Sequence, residues 1–478
     1  MRHAWTAAAI AAGAAMLAWP AVLNGYPLLF SDTGGFLHQT LGPLMLWDKP
    51  WVYGPLLHAL HWRVSLWLPL VAQAVMVAWV IAVVVRVTER PPPQPSPATA
   101  GEGEENRLPA PSPAVAGEGW GGGVAAIATL ALCAFAAFLT TAPFTVSLLM
   151  PDVFAPVIVL ALFLLGPARA AIGRGEAIVL GVLAALGIAA HLAHVPLAAA
   201  LVLATLLVTR SPRAAVRTAL PLLAALALVF ATNLVGHGRL SLSAHGATFL
   251  LARLQADGPG AETIRARCPE AGWYLCAFAD RLPIADSDEF LWDRASPVNR
   301  DAAGEPRFLG GATLSAEARE IVAATIADRP FEVAAAMLRN TLRQLALVEA
   351  GDTLGPDHLA TAVRPRIAEG FSARELAVYD AALQARGLLR EAAAPFTQPH
   401  LPVLLAALAL VPVALWRAVQ AGQRPRLALL VLVLVGCAAN AVATGALSKP
   451  VPRYEARIAW LLPLAVALAL IPARRRPA

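Results

Sequence analysis

Charged residues are scarce in this chain. Only 14% of its 478 residues are Asp, Glu, Lys or Arg, whereas 58% are hydrophobic, and the mean hydropathy is +0.62. An ordinary soluble fold of this length does not bury that much apolar surface. The scarcity therefore excludes a typical soluble enzyme and a disordered chain, and it indicates an all-α protein that crosses a membrane several times.

Cysteine and lysine are also rare. Four cysteines in 478 residues exclude a small fold held together by disulfides. The only lysines are Lys49 and Lys449, in a chain that otherwise uses arginine for its basic residues. The 37 basic and 31 acidic residues give a net charge of +6, and the excess bases lie in short loops between apolar runs. This distribution follows the positive-inside rule, so the net charge does not predict nucleic-acid binding.

Ten apolar runs predict about ten transmembrane helices, several of them short for a hydrocarbon core of roughly 30 Å. The runs occupy residues 5–22, 64–85, 124–140, 153–165, 177–190, 195–208, 218–235, 401–416, 427–444 and 458–471. The first run is also compatible with a cleaved signal peptide. Its end, Trp19-Pro-Ala-Val22, is bulky where signal peptidase requires small residues, so we favour a retained span.

The apolar stretch from residue 177 to residue 209 is too long for one span. As a single helix it would extend about 50 Å. Its flanks are basic at both ends, with Arg174 before it and Arg210 after it, so both ends are expected in the cytoplasm. We therefore predict that the chain turns back at the polar middle, residues 191–196.

The basic loops also predict the orientation and the domain organisation. With the amino terminus inside, every strongly basic loop lies in the cytoplasm of a bacterial inner-membrane protein. The predicted parts are residues 1–87 with two helices and an outer loop at 23–63, a cytoplasmic linker at 88–123, helices three to seven at 124–235, a periplasmic insert at 236–400, and the last three helices at 401–478. The linker is rich in Pro, Gly and Glu and is predicted to be disordered.

The insert has the composition of a soluble, mostly helical domain. It carries 17 Arg against 21 acids, a balance of 17 − 21 = −4. Ser372-Ala-Arg-Glu375 is a capping-box sequence that opens a helix, which Gly387 can close. Pro330 opens another helix, predicted to run to about Glu349.

Two cysteines, Cys268 and Cys276, fall in this insert. The predicted periplasm is an oxidising compartment, which favours a disulfide between them. Two separate buried thiols are the alternative.

Charged residues outside the insert and the linker concentrate on the predicted outer face. Of the five acids there, Asp32, Asp48, Asp152, Glu176 and Glu455, four map to that face, as do both lysines. Lys449, Arg453 and Arg457 oppose the positive-inside trend, which suggests a functional role. A chance distribution of so few residues is the alternative.

Asp32 lies in a short glycine-containing stretch, Asn24-Gly-Tyr-Pro-Leu-Leu-Phe-Ser-Asp32-Thr-Gly-Gly-Phe36, just after the first predicted span. A carboxylate at the membrane surface is suited to act as a general base toward a hydroxyl, or to bind a divalent cation. Alone, the same motif is equally typical of a turn or a helix cap.

The first outer loop resembles that of the GT-C superfamily of membrane glycosyltransferases, which take sugars from polyprenyl-phosphate donors. In that family an essential acid follows the first helix, and a Pro/Tyr/Gly-rich stretch leads into the second. Asp32 matches the acid, and residues 50–55, with Tyr53 and the neighbouring Lys49, match the stretch as substrate-binding residues. The family often has an acidic pair, whereas Asp32 is followed by Thr33-Gly34. The resemblance therefore leaves a divalent cation, Mg²⁺ or Mn²⁺, open as a cofactor.

Further residues fit the same resemblance. Asp152 matches a second acid that is common in the next outer loop of the family, although Pro151-Asp152 is also a good helix start. His191 and His194, three residues apart, are predicted to share a helix face and to contact a phosphate or the acceptor. The alternative is that they simply end the helix.

A basic segment before the last span, Ser448-Lys-Pro-Val-Pro-Arg453-Tyr-Glu-Ala-Arg457, is similar to the Arg-Tyr element found before a late helix in many GT-C enzymes. Lys449, Arg453, Tyr454 and Arg457 are therefore predicted to hold the donor phosphate as it departs. An interfacial anchor is the alternative. The resemblance covers the membrane part, about two-thirds of the chain. As a whole, the chain resembles the protein O-mannosyltransferase and aminoarabinose transferase types. The place of the insert is similar to that of the protein O-mannosyltransferase domain, although that domain is all-β.

The sequence thus predicts a membrane glycosyltransferase that moves a sugar, with inversion, from a polyprenyl-phosphate donor to a periplasmic lipid, glycan or protein. Asp32 is the expected base, and the expected partners are the bilayer, the donor and the acceptor, without nucleic acid. Two alternatives stay open: a transporter or flippase of lipid-linked glycans, and a non-catalytic membrane assembly protein whose candidate residues would tolerate alanine.

Overall fold

The computed structural model describes residues 2–42, 45–89 and 121–471. Within these ranges the chain is helical and contains no β-strand, as the composition predicts. The predicted disordered linker at 88–123 lies, apart from its two ends, outside the described residues.

The first part of the chain contains two long helices separated by short ones. The helices are α1 (Arg2–Leu17), α2 (Trp19–Asn24), α3 (Ser31–Leu41), α4 (Tyr53–His61) and α5 (Trp67–Thr88). The apolar run at 5–22 is thus divided at Ala18, next to Pro20. Residues 23–63, predicted as a loop, are partly helical, and their Pro and Gly content gave no indication of these helices.

Helix α3 begins with a one-sided cap and packs tightly against the insert. The backbone N–H of Phe30 donates to Thr33 Oγ1 at 3.0 Å, which satisfies one free donor at the helix start. Gly34 then faces the backbone of Ala362, where an added Cβ would lie 2.0 Å from the carbonyl oxygen. Only glycine permits this close approach.

The second group of helices forms the centre of the bundle. It comprises α6 (Gly121–Leu139), α7 (Ala142–Ser147), a 3₁₀ turn (Pro151–Val153), α8 (Phe154–Leu165), α9 (Arg174–Ala190), α10 (His194–Thr209) and α11 (Pro212–His237). All residues of α8 are buried, whereas α11 leaves most of its apolar side chains exposed. Helix α8 is therefore the central helix, and α11 has the pattern of a helix that faces lipid.

The long apolar stretch does turn back in the predicted place. Helix α9 ends at Ala190, His191 is extended at φ −149°, and α10 begins at His194. The short turn makes the two helices neighbours.

The insert is mostly helical. Its helices are α12 (Gly246–Asp257), α13 (Pro259–Arg267), α14 (Ser287–Trp292), α15 (Gly310–Thr313), α16 (Ser315–Asp328), α17 (Pro330–Ala346), α18 (Arg364–Gly370), α19 (Ala373–Ala381) and α20 (Leu389–Thr397), with 3₁₀ and π segments at Tyr274–Arg281 and Leu359–Val363. A separate apolar core lies among α12, α13, α14 and α16. The disulfide Cys268–Cys276 is present, with Cα atoms 5.4 Å apart.

Helix α19 joins the insert to the first outer loop. Ser372 Oγ accepts from the backbone N–H of Glu375 at 3.2 Å, as the capping-box sequence predicts. The Glu375 carboxylate does not return to the cap; its Oε1 accepts from the Tyr26 hydroxyl at 2.7 Å and from the Leu66 N–H at 2.9 Å. The helix then ends at Ala381 and not at Gly387, so the predicted helix end is wrong.

The reason for this early end is a set of contacts to the segment before α3. The backbone N–H groups of Leu383 and Gln384 donate to Asn24, at 3.0 and 2.7 Å. The Gln384 side chain also donates to the Leu29 carbonyl at 2.7 Å and accepts from the Leu29 N–H at 3.0 Å. Tertiary hydrogen bonds thus replace helical ones.

The last part of the chain completes the bundle. It contains α21 (His400–Gln420), α22 (Arg424–Ala441), a π segment (Val442–Ala446), α23 (Pro452–Ala459) and α24 (Leu461–Leu470). Among the described residues, four helices are long and apolar enough to cross a membrane: Trp67–Thr88, Pro212–His237, Leu389–Gln420 and Arg424–Ala446. Shorter apolar helices lie between them in the bundle. The fold is that of a helical membrane protein, and the count of ten spans stays a prediction.

Candidate functional site

A buried ion pair lies at the N-terminal end of the central helix, α8. Asp152 sits in the 3₁₀ turn just before α8, and its Oδ1 lies 3.3 Å from Arg457 Nη1 and 3.6 Å from Arg453 Nε. The side chains of Asp152 and Arg457 are each 1% exposed. The start of α8 has no side-chain cap. Asp152 therefore pairs with two arginines and does not act as a helix cap.

Arg457 is held by a second polar side chain. Asn440, on α22, accepts from Arg457 Nη2 at 2.8 Å through its Oδ1, and its Nδ2 donates to Glu455 Oε2 at 3.0 Å. Because a buried guanidinium without partners is strongly unfavourable, these contacts fix the Arg457 side chain in one position. With these partners, Arg457 is suited to hold the neighbouring side chains in position.

Arg453 has fewer partners than Arg457. Its guanidinium lies 4.1 Å from the centre of the Phe30 ring and 5.0 Å from that of Tyr454. Its Nη1 is buried and makes no hydrogen bond to any residue that the structure describes. The same holds for Asp152 Oδ2. Arg453 thus retains donor capacity for an anion.

A narrow cavity of about 20 Å³ adjoins these groups, enough for about one water molecule. Thr141, Asp152, Asp352, Arg453 and Arg457 are among its lining residues. The backbone N–H of Arg453 donates to Asp352 Oδ2 at 2.9 Å. Burial raises the pKa of Asp352 above the usual range, even though the Arg453 guanidinium opposes this.

Asp32 lies in the first turn of α3 and pairs with a lysine. Its Oδ1 is 3.1 Å from Lys49 Nζ, and the side chains are 37% and 15% exposed, respectively. Lys49 also contacts Asp48. Burial alone would raise the pKa of Asp32, but Lys49 and then Arg453 outweigh it and hold that pKa below its ordinary value. Asp32 is therefore ionised at neutral pH and reachable from solvent.

The two histidines are near the site but not on one helix face. His191 lies in the turn after α9, because the chain must reverse there, and only His194 belongs to α10. Their rings are 5.1 Å apart, and the His191 ring is 6.3 Å from that of Tyr454. His194 is buried, and its Nδ1 lies 2.7 Å from the Gly187 carbonyl oxygen. The predicted shared face is wrong, whereas a position beside Tyr454 suits His191 for a role in binding.

Two predicted substrate-binding residues are engaged elsewhere. Tyr53 is buried and donates to Gln73 Oε1 at 2.9 Å, so it packs in the bundle beneath the site. Lys449 Nζ lies 2.7 Å from both oxygens of Asp286 and 2.9 Å from Asp288 Oδ2. Lys449 therefore ties the insert to the segment before α23, and Arg453 and Arg457 form the basic part of the site without it.

The described residues do not fit a divalent cation. Nowhere in the described ranges do three or more His, Cys, Asp or Glu side chains cluster closely enough to hold a metal ion. Asp32 and Asp152 instead face Lys49, Arg453 and Arg457. Fixed cations already occupy the place that Mg²⁺ or Mn²⁺ would take beside these carboxylates.

Sequence reasoning missed Asp352 and Asn440. Asp352 lies in the insert, among many other acids, and Asn440 lies within an apolar span. A polar amide inside a span is a signal for a buried hydrogen bond, and it could have indicated Asn440. Comparison with known proteins adds no relative: no family model, no curated protein and no solved structure matches this chain.

Proposed function

We propose that this chain is a polyprenyl-phosphate-dependent membrane glycosyltransferase of the GT-C type, with Asp32, Asp152, Arg453 and Arg457 at its active site. The observation that carries the proposal is the convergence of these residues. Asp32 comes from α3, Asp152 from the head of α8, and both arginines from α23, yet Arg453 lies against Phe30 and pairs with Asp152. Asp32, which is accessible to solvent, is thus near Arg453, which has unpaired N–H groups. Transfer from a phosphate-linked sugar requires such a base and such a cation.

The proposed reaction is an in-line displacement. The acceptor hydroxyl oxygen bonds to the anomeric carbon of the sugar while the bond from that carbon to the donor phosphate breaks. The phosphate keeps the electron pair, Asp32 takes the hydroxyl proton, and the configuration inverts.

The two arginines have different roles in this proposal. Arg453 has unpaired donor capacity and would stabilise the charge that develops on the departing phosphate. Arg457 is already bonded to Asn440 and Asp152, so it would hold the second carboxylate and set the local charge.

Replacement of Asp32 tests the function, and the chain offers a matched control. Asp32→Asn and Asp48→Asn each remove a carboxylate from Lys49, but only Asp32 is the proposed base. With purified protein and a panel of radiolabelled polyprenyl-phosphate sugars, Asp32→Asn should lower transfer by roughly 10²-fold or more. Asp48→Asn should stay within several-fold of the unmodified protein.

Two outcomes would overturn the proposal. Full transfer by Asp32→Asn would show that Asp32 is not the base. An unmodified protein that transfers none of the sugars would show that the chain is not a glycosyltransferase of this type.

The proposed side of the membrane is the periplasm of a bacterial inner membrane. The support is the position of the arginine-rich loops relative to the apolar runs. Alkaline phosphatase fused after Asp301, in the insert, should be active, because this reporter folds only when exported. An inactive, full-length fusion would place the insert, and the site beside it, in the cytoplasm.

A second candidate function is transport of a lipid-linked glycan. The full burial of the Asp152–Arg457 pair favours it, since buried charge pairs in membrane proteins often line a pathway. Flipping of a fluorescent polyprenyl-linked sugar in proteoliposomes, with no transfer and no effect of Asp32→Asn, would support transport. Normal growth and normal envelope glycans with Asp32→Asn and Arg453→Ala would support an assembly role.

A further inference from the structure

Helix α17 has its polarity reversed relative to a helix at the surface of a soluble domain. Phe331, Leu338, Leu342 and Leu345 are exposed, Phe331 to 87%. At about 100° per residue these four lie within about 60° of one another, so they form a single apolar stripe. The opposite face is buried and includes two polar side chains, Asn340 and Gln344.

The buried face of α17 is fixed to the end of a membrane span. Gln344 Nε2 donates to the Val451 carbonyl at 2.9 Å, and the Val451 N–H donates back to Gln344 Oε1 at 3.0 Å. Gly445 lies against the Asn340 backbone, where an added Cβ would be 2.7 Å from the carbonyl oxygen. Helix α17 therefore packs on the Ala446 end of the span Arg424–Ala446.

Exposed apolar residues also lie on the span near its contact with α17. Val442 and Leu447, on either side of the contact at Gly445, are each about half exposed. The exposed faces of membrane spans contact lipid, and the stripe lies on a helix that is bonded to the end of such a span.

Charge on one flank of the stripe suits a lipid surface. Arg339 and Arg343 lie on this flank, both exposed, together with Glu332, which pairs with Arg329. Neither Arg339 nor Arg343 forms an ion pair with a described residue. Arginine next to an exposed apolar stripe is typical of a helix that lies in the membrane interface, where the guanidinium reaches lipid phosphate.

We infer that α17 is an interfacial helix, with its stripe of Phe331, Leu338, Leu342 and Leu345 among the acyl chains and Arg339 and Arg343 at the phosphates. The occupant of the stripe is the bilayer, because the helix is bonded to the end of a membrane span and carries cations on one flank of the stripe. This inference does not depend on the reaction that the protein performs.

The contact to Val451 gives this placement a further consequence. Val451 lies two residues before Arg453, so the helix in the interface and the basic part of the site are joined by a pair of hydrogen bonds. Helix α17 thereby holds Arg453 at a fixed depth, near the level of lipid phosphates.

Spin-label accessibility tests the inference on the full chain in lipid nanodiscs. In a Cys133→Ala, Cys437→Ala background the disulfide stays intact and single labels are placed by Leu338→Cys, Leu342→Cys and, as control on the polar flank, Glu332→Cys. Oxygen concentrates in acyl chains and a nickel chelate is excluded from them. The oxygen-to-nickel ratio at 338 and 342 should exceed that at 332 by roughly tenfold.

Each other outcome overturns the inference. Equal ratios with high nickel accessibility at all three positions would place α17 in water. Low accessibility to both reagents at 338 and 342 would show that protein covers the stripe, and cysteine cross-linking between chains would then identify a second copy. Circular dichroism of each variant verifies that the helical fold is retained.

Discussion

Two acid–base ion pairs lie near the candidate site, and they differ in how far they are exposed to solvent. Asp152 and Arg457 are each 1% exposed, and Arg457 also bonds to Asn440, whereas Asp32 and Lys49 are 37% and 15% exposed. A buried pair is strongly destabilising to break, and an accessible pair contributes little to stability. The comparison separates a pair that holds the site together from a pair that a substrate can reach.

The largest expected effect follows from breaking the buried pair. Asp152→Asn leaves Arg457 charged and buried, so we expect a loss of about 3–5 kcal/mol in stability, measured by thermal unfolding in detergent. The double variant Asp152→Asn, Arg457→Met removes both charges and should recover part of that loss. A single variant as stable as the unmodified protein would show that the pair is not a structural element.

Arg453→Ala should give the next largest effect, and it should act on the donor. Because Arg453 has a buried donor free for an anion, its loss should raise the KM for the polyprenyl-phosphate sugar at least about tenfold. Arg319→Ala, which removes an exposed arginine on α16, is the control. An unchanged donor KM in Arg453→Ala would exclude this arginine from phosphate binding.

The two lysines allow a matched test by pH. Lys49 and Arg453 hold the pKa of Asp32 below its ordinary value, so Asp32 stays ionised, and the base stays active, into mildly acidic solution. Lys49→Met removes the largest of these opposing influences, so burial should then raise the pKa of Asp32. The acidic limb of the pH–rate profile should move to higher pH.

Lys449→Met is the control for that shift. Lys449 is bonded to Asp286 and Asp288 in the insert, so its removal should leave the acidic limb where it is. An acidic limb that moves equally in both variants, or in neither, would show that Lys49 does not set the pKa of the base.

The smallest expected effect is on stability in Asp32→Asn. The pair with Lys49 is partly exposed, so its loss should change the free energy of unfolding by about 0–1 kcal/mol. Thermal unfolding of Asp32→Asn and Asp152→Asn under the same conditions compares the two losses of stability directly. A loss comparable to that of Asp152→Asn would make Asp32 a structural residue as well.

Local sequence chemistry predicted the elements whose ends depend on their own residues. The start of α17 at Pro330, the cap of α19 at Ser372 and the reversal between α9 and α10 follow from fixed backbone angles, a side-chain acceptor and chain length. Asp32, Asp152, Arg453 and Arg457 could be selected as candidates because charge is rare here, and the structure places Asp152 near both arginines.

The remaining features depend on partners that are distant in the sequence. Helix α19 ends early because Asn24 binds the residues that would continue it. Asp352 belongs to the site only because the Arg453 backbone bonds to it, and Lys449 leaves the site because Asp286 holds it. Such contacts have no local pattern, so sequence alone does not reveal them.

The bonds between Leu29 and Gln384 also set an order of events during synthesis. Leu29 leaves the ribosome more than three hundred residues before Gln384 (384 − 29 = 355), yet both of its backbone groups are bonded to that side chain. Synthesis at about 5–20 residues per second makes this interval at least about 18 seconds. During this interval the backbone N–H and carbonyl of Leu29 lack their native partner. The segment that precedes the proposed base therefore reaches its final form only after nearly the whole insert has been made, which keeps the site incomplete while the chain is being inserted.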